Sequence, residues 1–346
     1  MIRVVELFSG IGAQNAALRM SGLEYEIVAV SEIDEKAYKA YCALNDECPP
    51  NLGDITKVER LPECDLVTFS APCTDISNAG RKKGMEEGSG TRTSLIFEVA
   101  RVIEHTPEED RPVYLLGENV PDIVNKKNLK HFMRFVQRMS ALGYSCKYDI
   151  LNAKDFGVPQ NRNRCFMIFS RAGISDFPTG RPLDKCLMDV LEQNVSEKYY
   201  LSQKAMDGLI FRKKRNEANG NGFGFKPLTP KDIAHTVTTG EGYHSNSSYI
   251  LEIAKTSFDS DRVGQVGVII IDGESYSIRH LTPRECFRLF GFTEEQIDRV
   301  FALEFKGKRI SDSALYKIAG NSIVVPVLSE IFKTMYGKQS PTLFDF

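Results

Sequence analysis

The first 170 residues alternate short apolar runs with stretches whose apolar side chains recur at helical spacing. Residues 3–7 read as a strand, 13–20 as a helix, 26–30 as a strand and 34–44 as a helix. The alternation continues through a strand at 65–69, a helix at 93–103 and a strand at 113–116. A helix at 126–142 and strands at 145–151 and 165–169 complete it. Strands that alternate with helices must bury both faces of one sheet, which predicts an α/β fold with a doubly wound, mostly parallel sheet. After about Arg171 the periodicity is lost. The stretch NEANGNGFGFKPLTP (216–230) and short polar segments such as TVTTGEGYHSNSSY predict a smaller, loop-rich, β-leaning domain. Helical order returns at Leu281. Thr282, Pro283 and Glu285 form a capping box with proline at the first helical position, and Thr293 with Gln296 repeats the device.

Composition narrows the class without naming a function. The chain has 346 residues, 42% hydrophobic and 26% charged, an ordinary globular balance that excludes disordered and collagen-like chains. No apolar run reads as a membrane span, and the N-terminus lacks a basic-then-apolar leader, so a cytoplasmic location is expected. Eight cysteines include no C-x-x-C pair, so no metal site is expected, and a chain of this length needs no disulfide framework. The net charge of −2 gives no global support to nucleic-acid binding, which must rest on local basic patches.

Four short motifs carry candidate chemistry. In VVELFSGIG (4–12) an apolar strand runs through Phe8, Ser9, Gly10, Ile11 and Gly12 into a helix. Such a turn lets backbone approach a ligand and offers free N–H groups. Asn15 stands where a dinucleotide turn has its third glycine, which disfavours a NAD dehydrogenase and favours S-adenosylmethionine. Glu32, after the second strand, is placed to take ribose hydroxyls, and Asp54 and Ile55 to hold adenine. In FSAPCTDIS (69–77), Cys73 follows a proline just past a strand, where a parallel sheet borders its ligand crevice. In GENVP (117–121), Glu118 at a strand end can be kept protonated by burial. In QNRNR (160–164), the alternation of Gln160, Arg162 and Arg164 can aim all three one way. Taken singly, each motif also has an ordinary structural explanation: a tight turn, a buried thiol, a cap or a polar strand edge. The glycine-rich, partly basic stretch 79–92, with Arg81, Lys82, Lys83 and Arg92, reads either as a solvated loop or as a lid over a phosphate backbone. Arg212 to Arg215 form a second basic run.

In this order the motifs resemble the DNA cytosine-5 methyltransferases of prokaryotic modification type. FSGIG, PC, ENV and Q-x-R-x-R agree, as do GTRTSLIFEVARVI (90–103), RHLTPRECFRLFGF (279–292) and AGNSIVVPV (319–327). The resemblance spans nearly the whole chain outside about 173–273. It departs at Thr74 and Ala71, where many members carry Gln and Phe.

The resemblance implies a discontinuous catalytic domain (1–171 and 310–346) and a target-recognition domain (172–309). It implies Cys73 as nucleophile, Glu118 as acid, Arg164 on the base's carbonyl, Arg162 in support and Asn119 holding the strand end. For the cofactor it implies Phe8 to Gly12 around the methionine moiety and Glu32 on the ribose. Ile33, Asp54 and Ile55 would meet the adenine, Pro72 and Leu95 the sulfonium, and Asn321 and Ser322 would close the site. The substrate is then a cytosine flipped out of double-stranded DNA, the enzyme works as a monomer, and a separate cognate restriction endonuclease is a possible companion. A tRNA methyltransferase of the same fold, or a catalytically silent DNA-binding protein, are the alternatives.

Overall fold

A computed structural model describes residues 1–76, 84–220, 225–241, 247–254 and 266–337. Six strands form the large sheet: β1 (Ile2–Leu7), β2 (Tyr25–Ser31), β3 (Leu66–Phe69), β4 (Tyr114–Asn119), β5 (Ser145–Asn152) and β6 (Asn163–Ser170). Their order is β2-β1-β3-β4-β6-β5. The pairs β1–β2, β1–β3 and β3–β4 are parallel, while β6 runs antiparallel to both β4 and β5.

Successive side chains of a strand point to opposite faces, and here each face feeds its own core. Val4, Leu66, Leu116, Phe166 and Ile168 pack on one side; Val5, Val67, Leu115, Met167 and Phe169 pack on the other. The first side is covered by α1 (Ala13–Ser21) and α2 (Glu35–Asn45), the second by α3 (Ile96–His105) and α4 (Leu129–Ala141). This is the doubly wound sheet expected from the alternation.

Beyond β6 the chain is less regular but contains more helix than its sequence suggests. The helix α5 (Gln203–Ala218) precedes a small antiparallel sheet of β7 (Tyr249–Ile253), β8 (Ile269–Ile271) and β9 (Glu274–His280), ordered β7-β9-β8. The basic run 212–215 therefore lies on a helix, not in a loop. Both expected capping boxes form, opening α6 (Pro283–Arg288) and α7 (Glu294–Phe301). Arg279, fully buried, donates to both carboxylate oxygens of Glu285 and to Glu252, tying β9 to α6 and β7. Two short strands, β10 (Glu304–Phe305) and β11 (Lys308–Arg309), lead to α8 (Asp312–Gly320) and α9 (Val325–Gly337). α9 lies on α1, and α7 lies on α2, where Arg299 donates to the carbonyls of Ala43 and Leu44. The apolar stretch 312–337 is long enough to cross a membrane, but it is divided between α8 and α9 and mostly buried in this core.

Two features of the first lobe were not expected. Asp46 caps α2 in the left-handed conformation (φ 56°), which turns the chain back and brings Cys48 beside Cys42; the two form a disulfide. Beneath the turn after β1, Glu6 is fully buried. Burial, opposed by Tyr41 and reinforced by the charge of Glu47, pushes its carboxyl up to about 8. A carboxyl raised on folding stabilises the fold most below its unfolded value, and the contribution is lost as pH rises through about 8. The wild-type Tm should therefore fall between about pH 5 and pH 8 and level off above that, and Glu6→Gln should flatten that fall; an unaltered slope in a thermal melt series would show that Glu6 is already ionised.

Candidate active site

In open α/β sheets a ligand crevice lies beyond the carboxyl ends of the strands, where the strand order reverses. Here the chain leaves β1 toward β2 and then returns to pair β3 on the other side of β1. A cavity of about 530 Å³ opens at that place. Its walls come from the segments after β1, β2 and β3, the end of β4, the start of β6 and the 317–323 segment.

The turn after β1 is shaped by three left-handed residues, Phe8 (φ 55°), Gly10 (φ 56°) and Gly12 (φ 77°). A Cβ on Gly10 would meet no protein atom, because that position faces open space, and the Gly10 N–H donates to Glu32 Oε2 at 2.9 Å. A Cβ on Gly12 would stand 2.3 Å from Asn45 Nδ2 and 2.6 Å from the Tyr41 ring. Gly12→Ala should thus lower stability by about 2 kcal/mol or more, from the unfavourable φ together with the overlap. Denaturant unfolding checks this, and a loss below about 0.5 kcal/mol would mean that α2 yields without strain.

Glu32 follows β2 and accepts from Gly10 N–H and, through Oε1, from Asp34 N–H at 2.7 Å. Burial raises its carboxyl, against the pull of these backbone donors. Ile33, beside it, is 76% exposed at the cavity rim, an apolar side chain available to a planar ligand. Asp54 caps the short helix at 55–57 through Thr56, which holds its carboxyl below the usual range. Asp54 and Ile55 both line the cavity.

The reactive end lies across β3 and β4. Cys73 stands four residues beyond β3, and Glu118 is inside β4 rather than past its end. Arg164, on β6, places Nε 3.0 Å from Glu118 Oε1. Burial raises the Glu118 carboxyl despite Arg164 and Arg162. Burial, and then the charge of Glu118, raise the Cys73 thiol, while Arg164 and Arg162 oppose them. The two groups are therefore coupled: a proton on Glu118 removes a charge that disfavours the Cys73 thiolate.

Asn119 does not line the cavity; it donates to the Ala71 carbonyl at 3.0 Å and so fixes the turn that carries Pro72 and Cys73. Asp75, given no role by the sequence, is a second brace. It accepts from the Arg92 and Thr93 N–H groups, and its own carbonyl accepts from Gly84 N–H. A carboxylate two residues past Cys73 and facing a helix start was the available signal.

Of the three alternating residues in QNRNR, only the arginines reach the cavity. Gln160 points elsewhere: its side chain donates to the Leu289 carbonyl and accepts from Val237 N–H. β6 begins only at Asn163, so residues 160–162 are not held to strand alternation. Arg162 is buried and donates to the carbonyls of Val237, Ser322 and Gly320, with Phe290 under its guanidinium. It joins three separate segments at the wall of the pocket. Phe8, Ser9, Ile11, Pro72, Leu95, Asn321 and Ser322 also line the cavity, whereas Gly12 sits behind it. Arg92 stands exposed at the rim. Arg81, Lys82 and Lys83 lie outside the described residues. Lys317, which the motifs did not single out, lines the cavity and pairs with Asp34 at 3.1 Å.

Comparison with known proteins agrees with this geometry. The model of the C-5 cytosine-specific DNA methylase family matches residues 2–337. The chain is 32% identical to the Type II methyltransferase M2.ScrFI of Lactococcus lactis subsp. cremoris, covering 98% of this chain and all of that one. It is also 32% identical to the Type II methyltransferase M.SsoII of Shigella sonnei, over 95% of this chain and 78% of that protein. Among solved structures, the Entamoeba histolytica methyltransferase EhMeth superposes with a TM-score of 0.72 at 18% identity, covering 97% of this chain and 98% of that one, a likeness of fold. The chain belongs to the C-5 cytosine-specific DNA methylases, and its activity is methylation of DNA cytosine at carbon 5.

Proposed function

We propose that the protein transfers a methyl group from S-adenosylmethionine to a cytosine flipped out of a specific double-stranded DNA sequence, through a transient bond to Cys73. The carrying observation is the shared cavity in which Cys73, Glu118 and Arg164 stand beside the glycine turn and Glu32. The residues fit the cofactor. Gly10 leaves room for a ligand against the backbone, Glu32 offers acceptors for hydroxyls, and the buried Ser9 Oγ has no hydrogen-bond partner among the described residues. Phe8 to Ile11 would hold the methionine end, Ile33, Asp54 and Ile55 the adenine, and Asn321 and Ser322 the open side. When bound, the cofactor supplies an electrophilic methyl group on a sulfonium.

The remaining chemistry belongs to the side chains. The Cys73 thiol loses its proton to water and the sulfur bonds to carbon 6 of the ring. Glu118 delivers a proton to nitrogen 3, so the added electron pair is not left as ring charge. Arg164 faces the ring carbonyl and favours the form with more charge on its oxygen. Carbon 5 is then an enamine carbon and takes the methyl. A water removes the carbon 5 proton, the carbon–sulfur bond breaks, the ring regains its double bond, and the nitrogen 3 proton returns to Glu118. A stacked base exposes neither face of carbon 6, which is why flipping is part of the proposal.

We assign residues 1–171 and 310–346 to catalysis and 172–309 to target recognition, with α6 and α7 as the joint, because they pack on α8 and α2. We place Arg81, Lys82, Lys83 and Arg92 on the DNA backbone. A monomeric, cytoplasmic enzyme, working with or without a separate endonuclease, completes the proposal. Plasmid and tRNA incubated side by side with methyl-labelled cofactor test it: label should enter the plasmid, and bisulfite sequencing should map it to one cytosine of a short recurring sequence. Label in tRNA alone would overturn it.

A further inference from the structure

The α5 helix carries a cationic face that the proposed catalysis leaves unused. At 3.6 residues per turn, Lys204, Phe211 and Arg215 share the side opposite Met206 and Leu209. Met206 and Leu209 are buried in a small cluster with Leu201, Phe225, Tyr249 and Ile278, separate from the two cores of the large sheet. Lys204 and Arg215 are exposed on that side with Phe211, 66% exposed, between them, and Arg212 and Lys214, also exposed, stand about 80° to either side of that line. Lys213 pairs with Glu217 at 3.9 Å. Among the described residues, no carboxylate lies within ion-pair distance of Arg212, Lys214 or Arg215. The helix dipole accounts for a cation in the last turn, where Arg215 stands, but not for the others.

A chain of contacts links the helix to the wall of the pocket. Arg212 lies within electrostatic reach of Tyr249, at the start of β7. The preceding residue, Ser248, donates its N–H to Glu241 at 2.7 Å. Glu241 N–H donates to the Thr238 carbonyl, and Thr238 lies against Gly320, where a Cβ would stand 2.3 Å from it. Gly320 lines the cavity. The cationic face is thus carried by the lobe that borders the pocket, while standing on that lobe's own separate core.

We propose that this face of α5, through Arg212, Lys214 and Arg215, binds the phosphate backbone of duplex DNA flanking the methylated sequence. The inference rests on assigning 172–309 to the DNA-facing lobe. Charge complementarity commits it to a polyanion, and the substrate of the family is the polyanion that comes to this lobe. Such contacts carry no sequence information; they release counterions and hold the duplex while the pocket engages its base.

The test measures binding directly, independent of methylation. The wild-type protein and the variant R212Q/K214Q/R215Q are titrated with a long duplex that contains the methylated sequence, at salt from 50 to 200 mM. Three lost phosphate contacts should reduce the slope of log affinity against log salt by about 2 to 3, so the variant's loss over this range should be about 40-fold smaller. R215Q alone should reduce the slope by about 1, and R212K/R215K should retain it. An unchanged slope in the triple variant would overturn the proposal, including the case in which the variant instead loses binding to anionic lipid vesicles. Wild-type protein that binds duplex with a steep slope but methylates none would sink the catalytic reading and leave α5 standing.

Discussion

Replacing Cys73 by serine is expected to lower turnover by about 10⁴-fold or more, the scale on which removal of a nucleophile acts. Serine keeps the size of the side chain and the Asn119 hold on the preceding turn, so the fold and the cavity should persist. What changes is the attacking atom. A hydroxyl does not ionise near neutrality, and among the described residues the charged groups acting on this position are Glu118, which serves as the acid, and the two arginines Arg164 and Arg162, which are not bases. DNA binding by the variant should be retained, which separates a chemical defect from a folding defect. Methyl incorporation in single-turnover assays reads the first effect and a binding titration the second. Turnover within about tenfold of wild type would remove Cys73 from the reaction.

Glu118→Gln is expected to cost about 10²- to 10⁴-fold in turnover, the range for a positioned general acid. It should also make Cys73 more reactive to iodoacetamide at pH above the Glu118 titration, because there the charge of Glu118 is one of the two causes that raise the thiol and glutamine carries none. These opposite directions, slower catalysis and faster alkylation, are a signature that a merely damaged site would not give. The pH dependence follows from the same coupling. Glu118 is held above the ordinary carboxylate range by burial, so its proton is present at low pH and lost as pH rises through the raised value. Wild-type activity should lose that contribution on the alkaline side of the Glu118 titration, and the glutamine variant should lack that limb of the profile. A limb that persists in E118Q belongs to another group.

The cavity was legible in the sequence because its parts sit at strand ends, and strand ends follow from hydrophobic runs and the turn residues after them. The FSGIG turn is the clearest case: Gly12 must be glycine for φ and for space, and both demands arise within one strand–turn–helix unit. Contacts made across the fold were less legible. Gln160 belongs to an alternating pattern on paper, but its partners are Leu289 and Val237, and nothing near residue 160 announces them. Glu285 was visible as a capping residue, whereas its ion pair with the buried Arg279 depends on the path between β9 and α6. α5 was hidden for another reason. Its buried side holds only Met206 and Leu209, with Gly208 between them and a run of cations after, so no apolar stripe marks it. The Cys42–Cys48 pair needed the left-handed Asp46, a conformation that aspartate permits without requiring.

The central claim is that Cys73 bonds to the target ring. DNA carrying 5-fluorocytosine at the methylated position tests it most directly, because fluorine replaces the proton that must leave carbon 5 before the sulfur can depart. With cofactor present, the wild-type protein should accumulate a denaturation-resistant complex with this DNA, and peptide mapping should place the link at Cys73. A protein that methylates ordinary DNA yet forms no such complex, or forms it at another residue, would contradict the account.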